Sequence, residues 1–225
     1  MSADTNLRRV VCAGSEVQIR EKRTEHENVV VDASAQVFLE FMKFMCVSGN
    51  VLELKSATGV ISVMLAVQGC FVTATDTACS RECCSRAFDE SYQSRSTPDN
   101  LDLIRRNVAC NLDLILQQGG YVNVQPLEWH NQSHIESLIE KGPSTGFDFI
   151  VGCNIAQYVH TYKALMLLLS KVTTEHTQIL LANLGNQGDM KMLATMAAHH
   201  GFRMVTLIRE VFPFTSIIKL ELQRD

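Results

Sequence analysis

Two acidic residues stand on either side of a short turn, at a spacing that suits binding of a ribose-containing cofactor. Glu53 lies near the end of the apolar run Val51–Leu54, and the turn KSATG follows at residues 55–59. Asp76 ends the next apolar run roughly twenty residues further on, where a nucleotide-binding sheet places the carboxylate that accepts from ribose hydroxyls. These acids and the turn between them are the first candidates for a binding site.

The residues of the turn favour one class of cofactor over another. A dinucleotide fingerprint requires GxGxxG, and this turn contains only Gly59. An acid at Glu53 followed by a small-residue turn that includes Ser56 favours S-adenosylmethionine instead. Lys55 and Ala57 occupy places where glycine would allow a positive φ and a close approach of the backbone. Lys55 could therefore point to solvent, bind the carboxylate of the cofactor or occupy its methionine pocket, and the turn could have a different shape.

These residues must be positioned by a sheet, and the hydrophobic pattern predicts one. Seven apolar runs are typical of strands, at 51–54, 71–75, 121–127, 147–153, 178–182, 202–209 and 216–222. Helical periodicity is present before and between them, at 34–46, 60–68, 101–116, 134–140, 162–172 and 190–200. The alternation predicts a mostly parallel sheet that is covered on both faces. Only a short segment with Pro213 joins the last two runs, so the final strand must be antiparallel.

Several motifs resemble those of the seven-strand lysine methyltransferases, the family of the methyltransferase-like 21 proteins and of enzymes that methylate chaperones and elongation factors. VLELKSATGVISVMLA is similar to the cofactor turn of that family, VTATD to its ribose strand and LIRRNVACN to its helix with paired asparagines, here Asn107 and Asn111. VQPLEWHN resembles the adenine-side strand, FDFIVGCNIAQY the strand end that faces the substrate, and VVVDASAQVFLEFM the entry helix. The resemblance extends from about Val29 to Leu222.

The resemblance implies a Rossmann-like, seven-strand class I methyltransferase fold of the α/β class, with an antiparallel last strand, for residues 29–225. Residues 1–28 are predicted to form an appended N-terminal arm, in which Val10–Gln18 could be a strand. The implied cofactor is S-adenosylmethionine. Its implied binding residues are Glu53, Lys55, Ser56, Gly59, Asp76, Trp129 and Asn154, and Asn154 and Tyr158 would orient the target lysine.

Each of these residues also has a purely structural interpretation. Trp129 could be a core residue rather than a ring over the adenine, and Asp76 could cap the residues after it. Glu53 could satisfy loop amides, and the paired asparagines could be caps or hydrogen-bond partners at the edge of the core. The strand end also departs from the family pattern D-x-x-Y, because Asn154 replaces the acid and Tyr158 comes one place late.

Two functions remain open on these grounds. The first is an S-adenosylmethionine-dependent methyltransferase that acts on protein lysine. The second is a degenerate methyltransferase fold that binds a protein partner without turnover. A nucleic-acid methyltransferase is disfavoured, since no basic stripe with interleaved aromatic residues is present.

Composition restricts the partners and the compartment. The 225 residues suit one domain, and the net charge of −4 gives no long-range attraction to nucleic acid or to anionic membranes. The eight cysteines follow a polar N-terminus and are expected to be reduced thiols of a cytoplasmic or nuclear protein. Cys79, Cys83 and Cys84 lack metal-ligand spacing, so no metal site is predicted. We expect a monomer with a protein substrate or partner, and neither nucleic acid nor membrane as a partner.

Overall fold

A seven-stranded sheet carries the candidate site residues, and a smaller three-stranded sheet packs beside it. The computed structural model describes residues 4–12, 14–23, 28–77, 100–155, 159–184, 187–209 and 215–223. In chain order the elements are β1 (Asp4–Cys12), β2 (Ser15–Arg23), β3 (Asn28–Val29), α1 (Ala33–Phe44), β4 (Asn50–Leu54), α2 (Val60–Val67), β5 (Phe71–Asp76), α3 (Asn100–Cys110), α4 (Leu112–Gln117), β6 (Tyr121–Pro126), α5 (Gln132–Lys141), β7 (Phe149–Cys153), α6 (Tyr162–Val172), β8 (Gln178–Leu184), α7 (Gln187–His199), β9 (Phe202–Arg209) and β10 (Thr215–Leu222).

The strand order of the large sheet is β6-β5-β4-β7-β8-β10-β9. Neighbouring strands from β6 to β8 are parallel, whereas β10 is antiparallel to both β8 and β9. The predicted α/β sheet and its antiparallel final strand are confirmed. The chain moves outwards from β4 to β5 and β6 and then returns to the other side of β4 as β7. This reversal creates a crevice at the carboxyl ends of β4, β5 and β7, where open α/β sheets bind ligands.

The two faces of the sheet bury separate hydrophobic clusters. One cluster contains Val51, Val72 and Val151 of the sheet together with residues of α1, α2, α3 and the hairpin formed by β1 and β2. The other contains Leu52 and Leu54 with residues of α5, α6 and α7. Alternation along β4 follows from this arrangement, because Glu53 shares the face of Val51.

Three predictions about local structure need correction or fall outside the described residues. The predicted strand at 10–18 is wrong as a single element, because Gly14 has a φ of 81° and turns the chain between β1 and β2. The predicted helix at 101–116 is two helices, since Asn111 leaves the helical conformation and its side chain bonds to the backbone of Gln18. The sequence predicts a helical turn followed by a loop at 80–100; residues 80–99 lie outside the described ranges, as do Cys79, Cys83 and Cys84, and Asn100 is already the first residue of α3.

The N-terminal residues contribute to the core. Val10, Cys12, Val17 and Ile19 of the hairpin belong to the same buried cluster as α1 and α2. The proposed division into an arm at 1–28 and a domain at 29–225 stays a prediction, and β3 crosses that boundary to pair with β2. Across the described ranges, no helix is long and apolar enough to cross a membrane.

Candidate functional site

The turn between β4 and α2 has the backbone shape of a glycine turn, although two of its residues are not glycine. Lys55 has a φ of 54° and Ala57 a φ of 52°, and Gly59 has a φ of 74°. A left-handed conformation costs a non-glycine residue about 1 kcal/mol. Only glycine fits at 59, because a Cβ there would lie 2.9 Å from Cγ2 of Ile104. Lys55 and Ala57 therefore do not give the turn a different shape from that of a glycine turn.

Hydrogen bonds fasten the turn to β5. The Ser56 amide donates to the Thr75 carbonyl at 2.8 Å, and the Thr75 amide donates to Oγ of Ser56 at 3.2 Å. Ser56 and Thr58 are buried, whereas the side chains of Lys55 and Ala57 are exposed. The turn therefore presents its two strained residues to the crevice side and is anchored by the residues between them.

Asp76 ends β5 as a buried carboxylate that already has several donors. It is 4% exposed, and Oδ2 accepts from the Ala57 amide at 2.8 Å while Oδ1 accepts from the Thr77 amide at 2.7 Å. Burial raises the pKa of Asp76, and the two amides, the charge of Lys55 and a hydrogen bond from Asn100 act in the opposite direction. The bond from Thr77 is a contact with the residue after Asp76, and the bond from Ala57 places the carboxylate beside the turn.

Glu53 lies on the same face, one strand away. It is 2% exposed, and Oε2 accepts from the Ser62 amide at 3.0 Å and from the Ser62 hydroxyl. Burial raises the pKa of Glu53 to about 7, with a further contribution from the charge of Asp76. The charge of Asp76 thus opposes the ionisation of the buried Glu53 carboxyl.

Lys55 crosses from the turn towards Trp129. Its Nζ lies 6.0 Å from the centre of the Trp129 ring, which is within the range of a cation–π contact. Trp129 is half-buried between β6 and α5 and packs against the cluster on the far face of the sheet. The Leu127 amide donates to the Asp76 carbonyl at 2.8 Å, so the segment that carries the ring is tied to the end of β5.

Asn154 follows β7 at a φ of 55° and contacts the start of α1. Its Nδ2 donates to Oδ2 of Asp32 at 2.6 Å and to the Ser34 hydroxyl. Asp32 also caps α1, because Oδ1 accepts from the Ala35 amide at 2.7 Å. A carboxylate from α1 therefore stands at the strand end where the sequence has an amide. Tyr158 lies outside the described residues.

Several further residues contact the candidate site residues, and the sequence alone does not predict these contacts. Asn100, the first residue of α3, is 9% exposed; its side chain bonds to Asp76, and its Oδ1 has no hydrogen-bond partner among the described residues. Ser62 contacts Glu53, and Asp32, besides capping α1, contacts Asn154. Asn107, predicted only as part of a helix motif, bonds to the turn itself through the Thr58 carbonyl at 2.8 Å.

Other features of the described surface do not coincide with this crevice. A cleft of about 640 Å³ is lined by residues of β1 and α1 together with Ile208, and none of the turn residues contributes to it. Within the described ranges, no group of three or more His, Cys, Asp or Glu side chains is arranged to hold a metal ion.

Solved structures share this arrangement of elements. A methyltransferase from Pyrococcus furiosus matches with a TM-score of 0.57 and 15% identity, over 87% of this chain and 85% of its own. The T. thermophilus 16S rRNA N2 G1207 methyltransferase RsmC, in complex with AdoMet and guanosine, matches with a TM-score of 0.65 and 15% identity. The DhpI–SAH complex matches with a TM-score of 0.56 and 14% identity, over 86% of each chain. The chain has the class I methyltransferase fold.

At these identities the likeness shows the methyltransferase fold alone. The match to the T. thermophilus enzyme covers 100% of this chain, which spans only 52% of the length of that enzyme. No protein-family model matches the sequence, and no curated protein does. The specific resemblance to lysine methyltransferases therefore stays a prediction.

Proposed function

We propose that the protein is an S-adenosylmethionine-dependent methyltransferase that acts on lysine side chains of a protein. The observation that carries the proposal is the turn at 55–59, which holds the glycine-type shape at Lys55 and Ala57 in spite of the strain. That shape keeps the Ala57 amide on Asp76 at 2.8 Å, beside the crevice of the sheet. A backbone held this way keeps the conformation that a glycine turn presents to a bound nucleoside, with the side chains of Lys55 and Ala57 added.

The charges around the crevice suit a cationic cofactor. Glu53 and Asp76 are both buried, and burial raises the pKa of each. S-adenosylmethionine has a sulfonium and an ammonium group, so its positive charge would offset the cost of ionising these acids. Asp76 and the unpartnered Oδ1 of Asn100 would accept from the ribose hydroxyls, and Trp129 would lie against the adenine.

The strand end supports an amine as the nucleophile. Asp32 lies 2.6 Å from Nδ2 of Asn154 and supplies the negative charge that Asn154 lacks. A carboxylate there would attract a lysine side chain, and the oxygen acceptors of Asp32 and Asn154 would orient its nitrogen once neutral. S-adenosylmethionine supplies an activated methyl group, so the protein has mainly to align the nitrogen with it.

Protein is favoured over nucleic acid as the substrate by the charge distribution. The whole chain has a net charge of −4, and arginines of the N-terminal hairpin are paired with glutamates, Arg8 with Glu21 and Arg9 with Glu16. Paired charges of this kind do not provide the basic surface that phosphate binding requires. The guanosine in the T. thermophilus complex belongs to that enzyme.

The alternative function, a protein-binding module without turnover, is favoured by one observation. Lys55 reaches across the crevice to Trp129, 6.0 Å from the ring centre, and so lies where the adenosyl group would have to enter. If that contact persists, the cofactor would be excluded while the fold stays intact.

Calorimetric titration with S-adenosylhomocysteine tests the cofactor, and methyl transfer tests the substrate. Purified protein would be incubated with S-adenosylmethionine carrying a labelled methyl group, together with either a cytosolic protein fraction or total RNA. We expect binding of the product and label in methyl-lysine of the protein fraction, with Asp76→Ala as the inactive control. Label in RNA would contradict the lysine assignment. Absence of S-adenosylhomocysteine binding would contradict the proposal that the protein is a methyltransferase.

A further inference from the structure

Asn107 connects the N-terminal hairpin with the candidate cofactor turn. The residue is fully buried on α3, and Oδ1 accepts from the Arg20 amide of β2 at 2.7 Å. Its Nδ2 donates to the Arg20 carbonyl at 3.0 Å and to the Thr58 carbonyl in the turn at 2.8 Å. One amide group therefore holds a strand and the turn at the same time.

Asn111, one helical turn further on, makes the same contact with β2 but none with the turn. Its Oδ1 accepts from the Gln18 amide at 2.9 Å, and Nδ2 donates to the Gln18 carbonyl at 2.8 Å and to the Asn107 carbonyl at 2.7 Å. Lys22, next in this alternation along β2, pairs instead with Val29 of β3. Along this edge of β2, the side-chain amides of Asn107 and Asn111 thus replace the backbone partner that β3 provides at Lys22.

The Thr58 carbonyl needs this partner because it lies just before α2 and receives no bond from the helix. Gly59 is the N-cap, and the first intrahelical bond runs from the Val63 amide to the Gly59 carbonyl at 2.9 Å. The Ser62 amide, in the first turn of the helix, donates to Glu53 at 3.0 Å. Thr58 is 2% exposed, so its carbonyl would be buried without a partner if Asn107 did not donate to it.

We propose that Asn107 is a positioning residue for cofactor binding, and that the N-terminal hairpin acts through it as a structural part of the cofactor site. The proposal rests on the proposed function. Thr58 lies directly between Ala57, which is held at a φ of 52°, and Gly59 at 74°. A strained turn persists only where surrounding contacts determine it, and the bond from Asn107 is the contact that reaches the centre of this turn from outside β4 and β5.

The matched pair Asn107→Ala and Asn111→Ala separates positioning from simple stability. Both variants remove one amide from the edge of β2, so both should lower the melting temperature. Only Asn107→Ala should also weaken binding of S-adenosylhomocysteine, by about tenfold, because only it leaves the turn unsupported. Binding by Asn111→Ala should stay within about twofold of the wild type on the same reasoning. Equal affinities in the two variants would overturn the proposal.

A second variant and a second measurement cover the remaining outcomes. Asn107→Asp, measured at a pH at which its carboxyl is ionised, keeps an acceptor for the Arg20 amide but has no donor for Thr58, so it should reproduce the loss of affinity if Asn107→Ala fails to fold. Hydrogen exchange of residues 55–60, measured without any ligand, should be about ten times faster in Asn107→Asp than in Asn111→Ala. If the wild type binds no S-adenosylhomocysteine but the exchange differs as expected, the proposed function fails while the support of the turn by Asn107 stands. Unchanged exchange would refute that support.

Discussion

Replacement of Lys55 by glycine tests directly whether the crevice admits a cofactor. In the folded protein the substitution removes the contact with Trp129, an exposed cation–π pair worth about 0.5–1 kcal/mol. It also relieves the left-handed strain at a φ of 54°, about 1 kcal/mol, and adds about 0.5–1 kcal/mol of chain entropy cost. These contributions nearly cancel, so the free energy of unfolding should change by less than about 1 kcal/mol.

The effect on binding should be larger and should depend on the ligand. If Lys55 leaves Trp129 and meets the carboxylate of S-adenosylhomocysteine, the wild type exchanges the cation–π contact for a charge-assisted hydrogen bond worth about 1.5–3 kcal/mol. Lys55→Gly should then bind this ligand about 5- to 30-fold more weakly. The loss should shrink as ionic strength rises.

Methylthioadenosine lacks the amino-acid part and provides the internal comparison. For this ligand the lysine has no carboxylate to meet, so Lys55→Gly should bind it about 2- to 5-fold more tightly, through release of Trp129 alone. Lys55→Met keeps the stem and the backbone strain but not the charge, and it should follow Lys55→Gly for S-adenosylhomocysteine. Calorimetry measures all these affinities. Tighter binding of S-adenosylhomocysteine by Lys55→Gly would refute the reasoning and favour the binding-module alternative.

Three further predictions concern the acids and the thiols. Asp76→Ala should weaken S-adenosylhomocysteine binding by about 1–3 kcal/mol and Asn100→Ala by about 1 kcal/mol; unchanged calorimetric affinity in folded variants would exclude contact with the ribose. The pKa of Glu53 is raised from 4.5 to about 7, so the stability that its neutral carboxyl contributes is full below pH 4.5 and is lost as the pH rises through 7. In urea unfolding, the free energy of unfolding of Glu53→Gln should therefore rise by about 3 kcal/mol relative to that of the wild type over this interval. A difference that does not depend on pH would contradict this prediction. Thiol counting on denatured protein should find all eight cysteines reduced, and a reproducible count of six or four would indicate disulfides.

The sheet could be predicted from the sequence because each strand carries its own signal. The runs at β4, β5 and β9 are apolar and bounded by turn residues, so their bounds differ from the prediction by a residue or less. The hairpin could not be predicted in the same way. Its buried residues change from even positions, Val10 and Cys12, to odd positions, Val17 and Ile19, across the turn at Gly14. The apolar patch at 10–18 spans that turn, so a single strand is predicted where the chain forms two.

The candidate site could be predicted only in part from the sequence, because its contacts join distant segments of the chain. Glu53, Gly59 and Asp76 were recognisable since each lies at the end of a strand or the start of a helix. The contact between Asp32 and Asn154 spans 122 residues, and that between Arg20 and Asn107 spans 87. No local pattern encodes such pairs. The sequence could not show whether Lys55 and Ala57 change the shape of the turn, because the contacts that hold the turn come from β5 and α3.

The strain in the turn is itself an argument about function. A segment that only had to connect β4 with α2 could do so with negative φ values at Lys55 and Ala57, or with glycine at both, and would avoid about 1 kcal/mol at each position. Here the strained shape is held by buried bonds from Asp76 and from Asn107, which lie on different elements. Backbone strain that is maintained by several independent contacts is concentrated at ligand sites in proteins. Under the proposed function, Lys55 keeps this shape and adds a cation that can meet the carboxylate of the cofactor.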